Sequence, residues 1–105
     1  MALTRSFGDT VRARVARDPA FRDALLTEAV EQFLGGDIDL GRAVLRDYIA
    51  ATIGFERLAS ETGTSSRSLQ RVLGPHGNPS ARTLFALLQA VQQISGVRLA
   101  VAADH

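Results

Sequence analysis

Cysteine is missing from this chain, which removes disulfides and thiolate metal ligands and fits a reducing compartment. No apolar run reaches the length of a membrane span, and the opening Met-Ala-Leu-Thr-Arg-Ser-Phe lacks the continuous apolar block of a secretory signal. A cytoplasmic protein with no membrane partner is therefore expected. The six aromatic residues fall mostly inside apolar stripes, which argues against a stacking platform for single-stranded nucleic acid. No glycine-rich phosphate loop is present. The two histidines, His76 in a Pro/Gly loop and His105 at the terminus, stand far apart without clustered carboxylates. Ser65 and Ser66 have no histidine or lysine at a recognisable spacing, so helix capping explains them better than nucleophilic catalysis. Neither an enzyme, nor a cofactor, nor a metal is expected. Lysine is absent too, all twelve basic residues being arginine. Genomic base composition accounts for that, and no functional argument rests on it.

What is there begins with enough apolar residues, 46% against 22% charged, for 105 residues to build a modest core as one domain. Dimerisation would add to that core. The net charge of +1 hides an asymmetry: residues 1–53 carry seven arginines and eight acids, whereas residues 54–105 carry five arginines and three acids. Between Thr62 and Ala103 stand Arg67, Arg71, Arg82 and Arg98 with no acid at all, so the local field is positive although the whole chain is nearly neutral.

Taken in order, Ser6 with Asp9 reads as a cap and acidic first turn, followed by Phe7, Val11 and Val15 at helical spacing to about Arg17. Asp18-Pro19 opens a second helix as N-cap and first helical residue, with Phe21, Leu25, Leu26, Ala29, Val30, Phe33 and Leu34 as its apolar stripe. Gly35-Gly36 ends it. Asp37 or Asp39 caps a third helix reaching about Ile53, with Leu40, Val44, Leu45, Tyr48, Ile49 and Ile53 inward and Arg42, Arg46 and Asp47 outward. Residues 74–79, Gly-Pro-His-Gly-Asn-Pro, can be neither helix nor strand. Ser80 caps a sixth helix carrying Leu84, Phe85, Leu87, Leu88, Val91 and Ile94, which Gly96 terminates. Val97, Leu99 and Val101 then alternate with Arg98 and Ala100, the period-two signal of a short strand. Such a strand pairs with its copy in a second subunit, pairs with a partner protein, or frays; pairing across a homodimer is preferred.

The remaining stretch, Phe55 to Leu73, organises the rest, because it reads as two short helices joined by a tight glycine turn. Gly63 supplies the positive φ that ends the first, and the hydroxyls of Thr64 and Ser65 can cap the next. Steps of about 100° per residue put Leu69, Val72 and Leu73 on one side and Ser66, Arg67, Gln70 and Arg71 on the other. No acid lies within helical reach of Arg67 or Arg71, and arginine, glutamine and serine are groups that hydrogen-bond base edges and phosphates. The pattern is that of a recognition helix.

This stretch, together with Gly77-Asn78-Pro79-Ser80-Ala81-Arg82-Thr83-Leu84, resembles the phage-repressor-like helix-turn-helix family of Cro or XRE type. More narrowly, nearly the whole chain resembles HigA-like antidote proteins, the antitoxins of bacterial toxin-antitoxin modules. The residues carrying that likeness are Asp18-Pro19-Ala20-Phe21-Arg22, Leu45-Arg46-Asp47-Tyr48-Ile49, Ala51-Thr52-Ile53-Gly54-Phe55, and Gly74-Pro75 with Gly77-Asn78-Pro79. The resemblance implies an all-α bundle, dimerisation, binding to double-stranded operator DNA, capture of a small RelE/ParE-like toxin, and repression of its own operon. It places Ser66, Arg67 and Arg71 where bases are read, and Thr64 and Ser65 at the capping, phosphate-contacting turn. Gly54-Phe55 stands where many such repressors have a polar Thr-Gln pair whose glutamine touches phosphate. Either affinity is expected to be lower, or Arg57 or the Asn78 loop supplies that contact instead, with Phe55 packing inward.

The expected architecture is thus a helical extension over residues 1–36, a helix-turn-helix domain over 37–95 and a short C-terminal β-strand within 96–105. The extension offers a dimer seam, a toxin-binding surface or simply extra core. The competing reading is a protein-interaction module that keeps this fold without using DNA.

Overall fold

The computed structural model describes the backbone of residues 7–105 and side chains from residue 9 onward. The expected Ser6 cap and the Phe7 side chain lie outside the described residues. Six helices follow one another: α1 (Phe7–Arg17), α2 (Pro19–Leu34), α3 (Ile38–Ala51), α4 (Phe55–Thr62), α5 (Ser66–Val72) and α6 (Ala81–Ser95).

Local chemistry sets most of the boundaries. The Asp18 side chain accepts the Phe21 amide at 3.1 Å, and Pro19 follows in the first turn, where its missing N–H leaves nothing unsatisfied. That amide bond, with Arg14 alongside, holds the Asp18 carboxyl below its ordinary range against a smaller opposing desolvation. Arg14 fastens the α1–α2 corner, its guanidinium 4.2 Å from the Phe21 ring centroid and 3.5 Å from Asp18. Of the two candidate caps for α3, Asp37 accepts the Leu40 amide at 3.1 Å, while Asp39 turns to Arg42. α3 ends at Ala51, slightly before Ile53, with Thr52 as its C-cap.

α2 and α3 form the most extensive helix pair, α1 lies against both, and α4 packs on α5 and α6. A shared core runs through them: Leu26 and Ala29 of α2, Leu45, Tyr48 and Ile49 of α3, Leu58 of α4, Leu69 and Leu73 at α5, and Leu84, Leu87, Leu88 and Val91 of α6. Fully buried leucines of this kind contribute roughly 1.5–3 kcal/mol each. Tyr48 is completely enclosed, yet its hydroxyl reaches Ser95 Oγ at 3.1 Å, so the phenol crosses the core without leaving a polar atom stranded. Phe55 packs against this core, as its position opening α4 suggested.

Three residues assigned to inward stripes face solvent instead: Leu34 is 72% exposed, Phe85 67% and Leu40 43%. On α6 the buried line is 84, 87, 88 and 91, and Phe85 stands about 100° off it. Leu40 precedes the line 41, 42, 45, 48 and 49 of α3 by the same step, and Leu34 is the last residue of α2, beyond the layer that covers Val30 and Phe33.

The C-terminal strand is not formed among the described residues, all of whose regular elements are helical. The alternation survives in burial only: Val97 and Leu99 are half-buried against the core and Arg98 is exposed. The Leu99 amide donates to the Gln92 side chain at 2.9 Å, a side-chain acceptor occupying the place of a ladder carbonyl. A strand requires a second backbone, and within one described chain nothing supplies it.

Candidate nucleic-acid interface

The α4–α5 unit owes its shape to three consecutive residues. Gly63 ends α4 with φ +74°, and its amide donates to Ala59 O at 2.9 Å; a side chain there would force the left-handed conformation on a residue that resists it. Thr64 is exposed in the turn. Ser65 caps α5, accepting the Ser68 amide at 3.1 Å, while its carbonyl accepts the Leu69 amide at 3.0 Å. Leu69 and Leu73 then insert into the core at 3% and 1% exposure, which anchors one side of a two-turn helix and turns the other outward.

On that outer side Arg67, Gln70 and Arg71 are exposed. Gln70 Nε2 donates to Ser66 Oγ at 3.0 Å, so these two candidates act as a pair in the free protein: the glutamine oxygen and the serine proton remain for an external partner. Arg67 and Arg71, four residues apart, share a face, and neither has an ion-pair partner among the described residues. All four ion pairs found there belong to residues 9–42. No family model matches the chain, nor does any curated protein or solved structure.

Asn78 is exposed in the loop after α5, and the α6 N-terminus follows, with Ser80 accepting the Thr83 amide at 3.1 Å and Arg82 exposed in the first turn. Thr64, Ser65, Ser66, Arg67, Gln70 and Arg71 thus lie on one short continuous segment, with Asn78 in the loop just after it. Arg57 is placed differently. It is exposed on α4, but it borders hollows lined by Glu61, Gln93 and Ile94 on one side and by Tyr48, Thr52 and Ser95 on the other, at the seam with the C-terminal end of α6. The structure gathers it with that seam.

Arg42, expected outward, is 5% exposed and is the buried charged side chain among the described residues. Its spacing held the signal: 42, 45 and 49 fall on one helical face, and Leu45 and Ile49 are fully buried. Beside it a hollow of about 300 Å³ is lined by Asp39, Arg46, Leu73, Gly74 and Pro75. Further along the same helix, Asp47 has its carboxyl pushed up by partial burial, with Arg46 pulling the other way.

Among the described residues no group of His, Asp or Glu is placed to hold a metal, and no helix is long and apolar enough to cross a membrane. What the α5 surface offers chemically is donors: two guanidinium forks, an amide, hydroxyls and an asparagine loop, with no carboxylate from the α5 sequence or its following loop to repel an anion.

Proposed function

We propose that this chain is a sequence-specific DNA-binding antitoxin of the XRE-type helix-turn-helix kind, working in the cytoplasm as a homodimer. In this reading α4 and α5 form a phage-repressor-like helix-turn-helix, and α5 enters the major groove. Arg67 and Arg71 read guanines or phosphates, Ser66 and Gln70 assist at base edges, and Thr64, Ser65 and Asn78 hold the backbone. Two copies would set their recognition helices about 34 Å apart on a near-palindromic operator. The protein would thereby repress its own operon, and neutralise a RelE/ParE-like toxin encoded beside it. The observation that carries the DNA-binding part is the outward face of α5, where two exposed arginines one helical turn apart have no carboxylate to pair with among the described residues. The antitoxin part is supported by the resemblance of the motifs from Asp18-Pro19 to Gly77-Asn78-Pro79.

A second reading, a protein-interaction module that does not use DNA, has its own support. A groove of about 500 Å³ runs between α2 and the C-terminal tail, bordered by Val30, Leu34, Leu99 and Val101, with Leu34 and Val101 strongly exposed. Salt separates the two readings. DNA binding through several arginines weakens steeply as salt rises, whereas an apolar protein interface does not. The test is binding to a labelled fragment of the protein's own promoter at two salt concentrations, beside the Arg67→Ala/Arg71→Ala variant. Tight, salt-sensitive binding lost in the variant supports the repressor reading; no binding, or binding indifferent to both arginines, moves the assignment to the interaction module.

A further inference from the structure

A guanidinium taken out of water is costly unless its donors are met, and apolar replacements of buried charges are often neutral or stabilising. Arg42 is such a group, and the way it is satisfied is informative. Its Nη1 donates to the carbonyl of Gly74 at 2.6 Å and also to the carbonyl of Gly77, while Nη2 donates to Asp39 Oδ1 at 2.5 Å. Nε is buried with no hydrogen-bond partner, and the Asp39 carboxylate is itself 89% exposed. The charge is therefore held chiefly by two main-chain oxygens of the loop that leaves α5, and one donor is sacrificed to reach them. The same loop is pinned from the other side: a Cβ on Gly77 would stand 2.0 Å from the Val72 carbonyl oxygen, so its backbone lies directly on the last residue of α5. The amides of Leu73, Gly74 and Gly77 close this knot by bonding Leu69, Arg71 and Gly74 carbonyls at 3.2, 3.1 and 3.0 Å.

We propose that Arg42 is a positioning residue for DNA reading: it clamps the end of α5 and the Asn78 loop to α3, fixing the angle at which Arg67, Arg71 and Asn78 are presented, without touching DNA. This rests on the DNA-binding reading of α5. Rigid presentation matters for base readout, which demands register, far more than for phosphate attraction, which tolerates a tilt. Arg42 thus governs discrimination between operator and other DNA, and leaves the attraction common to both.

The experiment compares wild type, Arg42→Met and Arg42→Lys on the promoter fragment and on an unrelated fragment of equal length, at two salt concentrations, with helical content followed by circular dichroism. For Arg42→Met the expected result is about a tenfold or larger loss on the promoter, a change within about twofold on the unrelated fragment, and an unchanged salt slope. Arg42→Lys recovers part of the discrimination. A promoter-to-unrelated ratio equal to wild type, or a salt slope reduced by about one, which marks a lost phosphate contact, overturns the proposal. Should Arg42→Met fail to fold, the ratio in Arg42→Lys decides: a value below wild type supports the clamp, an equal one overturns it. If wild type itself does not distinguish the two fragments, the DNA reading fails, and hydrogen exchange without DNA then tests the clamp alone. Faster exchange at the Leu73, Gly74 and Gly77 amides of a folded variant, with α2 unchanged, supports it; unchanged exchange overturns it.

Discussion

The two halves of the chain treat most of their arginines differently, although Arg17 in the first half is exposed and has no ion-pair partner among the described residues. In residues 9–42 Arg12, Arg14, Arg22 and Arg42 each meet a carboxylate, from Asp9, Asp18, Asp23 and Asp39 respectively. From Thr62 to Ala103 there is no acid in the sequence, and Arg67, Arg71, Arg82 and Arg98 are all exposed. Arginines of the first kind are answered within the fold and add little to an external field; those of the second kind hold their charge for whatever approaches. Composition averaged over the chain hides this entirely, because the two halves nearly cancel.

The contrast is open to experiment. On the proposed DNA reading, the largest effect is expected from Arg67→Ala/Arg71→Ala, which should weaken promoter binding by about 2–6 kcal/mol if each guanidinium makes a bidentate contact. Arg12→Ala/Arg14→Ala removes the same formal charge and should change that binding by under about threefold, since both sites are already paired. Equal losses would break the comparison. Next comes Gly77→Ala, whose added methyl collides with the Val72 carbonyl; thermal melts should show about 1–3 kcal/mol of destabilisation, with promoter discrimination falling as well. A smaller effect tests the answered charges. Because the Asp18 carboxyl is held below its ordinary range, its charge stabilises the fold above that range, and this contribution is lost as acid protonates it. Asp18→Asn keeps a capping oxygen but no charge, so it should melt below wild type at neutral pH and converge with it on acidification. The smallest change is expected from Arg57→Ala, less than about threefold on promoter affinity, given its place at the α4–α6 seam. A loss comparable to that of Arg67 would return Arg57 to the DNA surface.

Helix ends were legible because their chemistry is local. Asp18-Pro19, Asp37, Gly63, Ser65, Ser80 and Gly96 each act on residues within one turn, and each holds the boundary its type implies. The outward set on α5 was legible for the same reason, since a two-turn helix with Leu69 and Leu73 buried leaves one place for Arg67 and Arg71. Burial on the long helices was less so. A stripe of apolar residues says which faces could be covered, while the number of neighbours decides which are, so Leu34, Leu40 and Phe85 were placed inside and stand outside. Arg42 is the reverse case: its spacing with Leu45 and Ile49 marks the buried face, but its partners, the carbonyls of Gly74 and Gly77, lie over thirty residues away, where no local rule reaches. The tail failed because a strand is defined by a neighbour, and the Leu99 amide found a glutamine side chain, and Val97 and Leu99 a core surface, instead of a second backbone.

α5 is seven residues long. Isolated helices below about 12–15 residues barely exist in water, so this one has no shape of its own to contribute. Its form is lent by the Ser65 cap, by the two leucines sunk in a core built from α2, α3, α4 and α6, and by the knot behind it. A synthetic peptide carrying these same arginines would be a coil, and grafting the segment onto another scaffold would transplant its letters and not its meaning. On the proposed DNA reading, the α5 surface belongs to the whole chain, and operator DNA, by holding α5 in place, should raise the melting temperature of regions it never approaches.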